Sequence, residues 1–172
     1  MLAQAAAAGI ATMAAPMLNL GRFRLFAQSA TEYSARTVGL MQRSLVIDML
    51  SPFTLNFPNQ AKWEAAPESF SAADFQPFLD SGINVFHPAV GLGGPNAYDQ
   101  ATQFFARWNS FLAGNDERLM RIDTPGDFAR VKSSKKVAVI LGLQNAEHFR
   151  RPDDVDLFYG HGQRVAQLTY NS

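Results

Sequence analysis

The densest chemistry in this 172-residue chain lies between Gln144 and His148, where Gln144, Asn145, Glu147 and His148 fall within five positions. A carboxylate beside an imidazole can exchange a proton or hold a cation, and amides can orient a polar ligand. Gln144 and Glu147 are the candidate catalytic groups, and His148 is a candidate metal ligand. Adjacent residues point in different directions on regular structure, so Glu147 and His148 do not easily share one ion. His87, just before Pro88, reads either as a substrate-facing group or as a buried, hydrogen-bonded imidazole. Asp48 is a second candidate metal ligand, or a group that orients loop amides. His161, between two glycines, reads as an exposed turn residue.

These groups need elements to place them. Val137-Ala-Val-Ile-Leu-Gly-Leu143 is an apolar run without alternation, as expected of a strand buried on both faces of a parallel sheet. Ligand-handling groups in such folds stand at the carboxyl ends of strands, which is where Gln144 to His148 fall. Before it, Ser29-Ala-Thr-Glu32 fits a capping box for a helix over 30–42, and Ser44 to Leu50 reads as a buried strand ending at Asp48. Residues 51–67, with three prolines, read as an irregular loop. Ser71-Ala-Ala-Asp74 opens a second helix that stops at Ser81-Gly82, and Ile83 to Pro88 is the next strand. Gly91 to Pro95 reads as a turn rather than a phosphate cradle. Asn96 begins a long helix to Ala113, whose aromatic stripe (Phe104, Phe105, Trp108, Phe111) suits a core. Leu119–Ile122 is a short strand, Thr124-Pro-Gly-Asp127 a helix start, 152–159 a helix and Val165–Tyr170 the last strand. Alternation of strand and helix implies an α/β fold with parallel strands and right-handed crossovers.

Composition narrows the partners. Fifteen basic and fifteen acidic residues cancel, so no net field favours nucleic acid. Without cysteine and with three histidines, a metal site needs carboxylates or ligands from elsewhere. Residues 1–27 form an Ala-rich segment resembling the apolar core and end of an export signal without its charged start. This predicts a periplasmic or membrane-associated protein if an arginine-bearing start lies upstream, and otherwise a cytoplasmic one. Residues 28–172 form the expected folded domain.

Val46-Ile-Asp48, Leu119-Met-Arg-Ile-Asp-Thr-Pro-Gly-Asp-Phe128, Val139-Ile-Leu-Gly-Leu-Gln144 and Gln163-Arg-Val-Ala-Gln-Leu-Thr-Tyr-Asn171, in that order, resemble the membrane (renal) dipeptidase family. The resemblance covers about residues 44–172. It implies a partial (β/α)8 barrel of about four β/α units, a small peptide or related amide as substrate, and zinc as cofactor. It further implies a carboxyl-terminal barrel half beyond Ser172, with pairing to a second copy as another way to cover the open sheet.

At the positions where the family pattern carries chemistry, this sequence departs from it. Leu50 and Pro52 stand where the family's first strand bears zinc ligands, and Gln144 stands where a glutamate bridges two zincs. Glu147 could replace it by a local shift. Tyr170, with Asn171 beside it, replaces a substrate-contacting histidine, leaving both as candidate substrate-binding groups. The resemblance therefore implies a zinc site reduced or lost, and a chain inactive as a dipeptidase on its own. The alternative is a non-catalytic relative that binds a small ligand at the strand ends.

Overall fold

Ser71 and Thr124 each begin a helix for the same reason: a hydroxyl caps the backbone three residues on, and an aspartate there reaches back. Both capping boxes form in the computed structural model, which describes residues 22–23, 33–88 and 90–168. Asp127 accepts N–H groups from Thr124 at 2.7 Å and Asp123 at 3.0 Å. Those backbone bonds, Thr124 first, outweigh burial and hold its carboxyl down at about 2. The chain divides into two compact units, residues 1–44 and 45–172.

In the first unit, β1 (Arg22–Phe23) pairs antiparallel with β2 (Tyr33–Ser34), and α1 (Ala35–Arg43) follows. Ser34, not Ser29, is the cap: its Oγ accepts the Thr37 N–H at 3.0 Å. Residues 33–34, expected inside that helix, are a strand. Ser29 to Glu32 and most of the signal-like segment lie outside the described residues.

The second unit runs β3 (Ile47–Ser51), α2 (Phe57–Ala65), a 3-10 turn (Pro67–Ser69), α3 (Ala72–Asp80) and β4 (Val85–Pro88). It continues with α4 (Ala97–Ala113), β5 (Leu119–Arg121), α5 (Pro125–Ser134), β6 (Val137–Val139), β7 (Leu141–Leu143), α6 (Asp153–Gly160) and β8 (Gln163–Ala166). The fold is α/β with parallel strands, and four of them lie side by side in the order β3-β4-β6-β5. β7 continues the line of β6 and pairs in parallel with β8. Ile140 N–H bonds Phe86 O and Gln144 N–H bonds Val90 O, so β6 and β7 run along β4 as one ribbon. The barrel succession is thus β3, β4, β6–β7, β8, with β5 inserted beside the lower half of the ribbon.

This insertion decides where α5 sits. Moving from β5 back to β6 reverses the direction of advance, so a right-handed crossover places α5 on the opposite face from the other helices. Core packing agrees. Phe86, Val137, Val139, Leu141 and Leu143 pack with aromatic residues of α2, α3, α4 and α6. Val85, Ala138 and Ile140 pack instead with Val131 and Phe128 of α5. The first face is the outside of the partial barrel, and the second is its interior, plugged by α5.

Three local expectations change. Residues 57–65 are helical rather than irregular, because Asn56 caps the helix at Asn59 N–H (3.1 Å) and Pro58 falls in the first turn, where a missing N–H costs nothing. β3 is not a buried strand: Ile47 and Met49 are 37% and 46% exposed. It forms the edge of the four-stranded sheet. β8 begins at Gln163 and ends at Ala166, two residues earlier than Val165 at its start. Among the described residues no helix is long and apolar enough to cross a membrane.

Candidate active site at the strand ends

Parallel strands bring their carboxyl ends to one edge, and side-chain alternation selects what faces inward there. Val85 and Ile140 face the interior, so His87 and Gly142 do too, one layer above them, while Gln144 lies one residue past the end of β7. His87 is 3% exposed, and its Nδ1 lies 2.8 Å from Met49 O. A carbonyl only accepts, so Nδ1 carries a hydrogen, and in the neutral tautomer this assigns, Nε2 is the acceptor. That Nε2 has no partner among the described residues. A Cβ at position 142 would stand 2.5 Å from it and 2.6 Å from Val165 Cβ. Only glycine fits under the imidazole.

Beyond the strand, the polar cluster divides its tasks. Asn145 Oδ1 accepts Leu92 N–H at 3.3 Å, and its Nδ2 donates to Glu147 Oε1 at 3.3 Å. Glu147 Oε2 accepts Gly94 N–H at 2.7 Å. Gln144 is half-buried, its Oε1 near the Gly91 backbone. Together these bonds latch the 90–94 loop onto the end of β7. Gly94 adopts φ +78°, where glycine is unstrained, and a Cβ on Gly93 would lie 2.9 Å from Glu147 Oε1.

His148 turns the other way. It is fully buried, with Nε2 3.0 Å from Gln163 Oε1 and its ring edge-on to Phe158 at 4.8 Å. Gln163 Nε2 donates to Val165 O at 3.1 Å, which fixes the amide so that Oε1 receives the His148 Nε2–H. Burial, more than the opposing Gln163 bond and Asp154 charge, pushes the His148 imidazole below its ordinary value. It is a neutral ring that ties the end of β7 to β8.

The structure therefore brings His87 and Gly142 together on the interior face, sets Gln144 beside Gly91, and joins Glu147 to the loop after β4. His148 lies among Phe149, Phe158 and Gln163. Asp48 is half-buried on β3, opposite Phe86. Tyr170 and Asn171 lie outside the described residues. Sequence reasoning missed the Met49 carbonyl and Gly142 as parts of the site. A lone glycine inside an apolar strand does signal close approach of another group, and Gly142 carried that signal.

The donor set does not fit a pair of zinc ions. Leucine and proline side chains offer no ligand atom, Gln144 is neutral, Glu147 already accepts two N–H groups, and His148 is turned away. Among the described residues no group of three or more His, Cys, Asp or Glu could hold a metal ion. Elsewhere, a cleft of about 400 Å³ opens on the outer face between α2 and α3, lined by Phe53, Asn56, Trp63 and Asp74, and includes none of the strand-end groups.

Solved structures share this fold. An amidohydrolase from Pseudomonas aeruginosa superposes with a TM-score of 0.58 at 18% identity, over 78% of this chain and 36% of its own. The dipeptidase AC, a metallopeptidase, gives 0.56 at 15% identity over 69% and 40%. A structure described as the "probable dipeptidase PvdM" from Pseudomonas aeruginosa gives 0.61 at 15% identity over 80% and 37%. This chain thus spans about two-fifths of the length of the structures it matches. No family model matches the sequence, and no curated protein does. The class defined is an α/β fold of parallel strands with the succession of about half a (β/α)8 barrel, shared with these structures over part of their length.

Proposed function

We propose that this protein is a dipeptidase-like member of that fold class which holds a small peptide or related amide at the carboxyl ends of β4, β7 and β8, and that this chain by itself does not hydrolyse it. The observation that carries the reading is the inward pair of His87 and Gly142 at the strand ends, with Gln144 one residue beyond β7, where folds of this kind keep ligand-handling groups. The likeness to an amidohydrolase and two dipeptidases supports the choice of an amide as ligand. Gln144 is the proposed contact to the ligand's amide, through one donor and one acceptor.

Binding without hydrolysis is favoured over a zinc-dependent reaction by the donor set. Ionising a water for attack on an amide needs close positive charge, and Leu50, Pro52 and Gln144 cannot assemble it. Elemental analysis and a dipeptide assay on the purified 172-residue protein test this directly. The expected result is zinc far below one ion per chain and no cleavage of a dipeptide panel with or without added zinc. Calorimetry should show saturable binding of at least one of those dipeptides. Zinc-dependent turnover by this chain would overturn the non-hydrolytic reading.

A further inference from the structure

The imidazole of His87 is held as a functional acceptor is held. Its Nδ1–H is committed to Met49 O at 2.8 Å, an arrangement that fixes both tautomer and ring orientation. Its Nε2 is buried and unpartnered among the described residues, an unusual state for a polar atom, since buried polar groups nearly always find a partner. The strand beneath it has no side chain at Gly142, and any Cβ there would collide with Nε2 at 2.5 Å. Ring, tautomer and clearance are thus set by three different strands: β3 through Met49, β4 through His87 and β7 through Gly142. Gln144 follows one residue past the end of β7, with its Oε1 near the Gly91 backbone.

We propose that His87 Nε2 receives an N–H from the bound ligand, so that the nitrogen-bearing donor of a peptide-like molecule points inward between β4 and β7. This rests on the strand-end binding reading above and adds to it the ligand's orientation. A carboxylate cannot satisfy Nε2, because it too presents only lone pairs. The carboxylate end of a dipeptide therefore points outward, past Gln144, and the amine or amide end points to His87. The site selects for an N–H donor at its inner end and tolerates variation at its outer end.

The experiment is ring-nitrogen NMR on the full 172-residue chain labelled with ¹⁵N-histidine, titrated with glycylglycine and with the same dipeptide trimethylated at its amine and N-methylated at its peptide nitrogen, which has no N–H. In the free protein His87 Nε2 should resonate as an unprotonated nitrogen without a hydrogen bond. Glycylglycine should move it upfield, and the methylated probe should bind at least tenfold more weakly without moving it. His87→Gln keeps an amide to meet Met49 O and should bind glycylglycine at least tenfold more weakly; if that variant fails to fold, the NMR result stands alone. Saturable binding of glycylglycine that Gln144→Ala weakens but that leaves His87 Nε2 unchanged would overturn the inference while sparing the strand-end reading. A complete absence of binding would overturn both. A free-state Nε2 that is already hydrogen-bonded, and is released in Tyr170→Phe, would show the acceptor to be satisfied by the chain itself and would also overturn it.

Discussion

His148 pairs full burial with a single hydrogen bond to Gln163, and its stability consequence has a definite sign. Burial lowers its protonation equilibrium in the folded state, so the unfolded chain binds a proton more readily. The stabilisation is fully present above the unfolded value of about 6.5 and is lost as pH falls below it. Urea denaturation at pH 7.5 and 5.0 should therefore show a loss for the wild type that His148→Leu does not share. At pH 7.5 the same substitution should cost about 1–3 kcal/mol by leaving the Gln163 oxygen unpaired in the interior. Equal pH dependence in both proteins would mean that His148 titrates in the fold as it does in solvent. Its place one residue after Glu147 predicts that the two side chains part, but not which of them is buried. The difference arises because the chain turns after Leu143, sending Glu147 to the loop and His148 under Phe158.

Among elements, the latch between the 90–94 loop and the 144–147 loop is the feature that shapes the site's rim. Its bonds are Gly94 N–H to Glu147, Leu92 N–H to Asn145, and Gln144 N–H to Val90 O. Gly93→Ala would bring a methyl to 2.9 Å from Glu147 Oε1, displacing the carboxylate from Gly94. The lost bond, about 1 kcal/mol, should raise the exchange rate of the Gly94 and Leu92 amides several-fold in native-state hydrogen exchange, while the β6 amides stay protected. Unchanged exchange at Gly94 would show that the loop holds its place without Glu147. Capping signals were readable at this scale: Ser71 and Thr124 start the helices that their spacing predicts. The helix at 57–65 was not, since three prolines within 51–67 outweigh Asn56 when residues are taken singly. Pro58 is harmless only because it falls in the first turn, and that depends on where the helix begins.

For the whole molecule, the parallel α/β class and the strand-end location of the polar cluster were legible because they rest on local features, a buried β-branched run and alternating element types. The spatial order was not, because nothing local says that Leu119–Arg121 pairs outside Val137–Val139 rather than between β4 and β6. That one inversion puts α5 on the interior face, where Val131 meets Val85, Ala138 and Ile140. It also bears on how the chain assembles. The partial barrel is an open sheet, so α5 can dock at any stage and sequence separation decides the order. The contacts within residues 119–140 are close in sequence and carry little loop-closure cost, so this stretch is expected to form before β3 and β8 join it. Pulse-labelled refolding should protect the amides of residues 120–122 and 138–140 before those of residues 47–51 and 163–167; the reverse order would mean that the sheet closes first and admits the helix later.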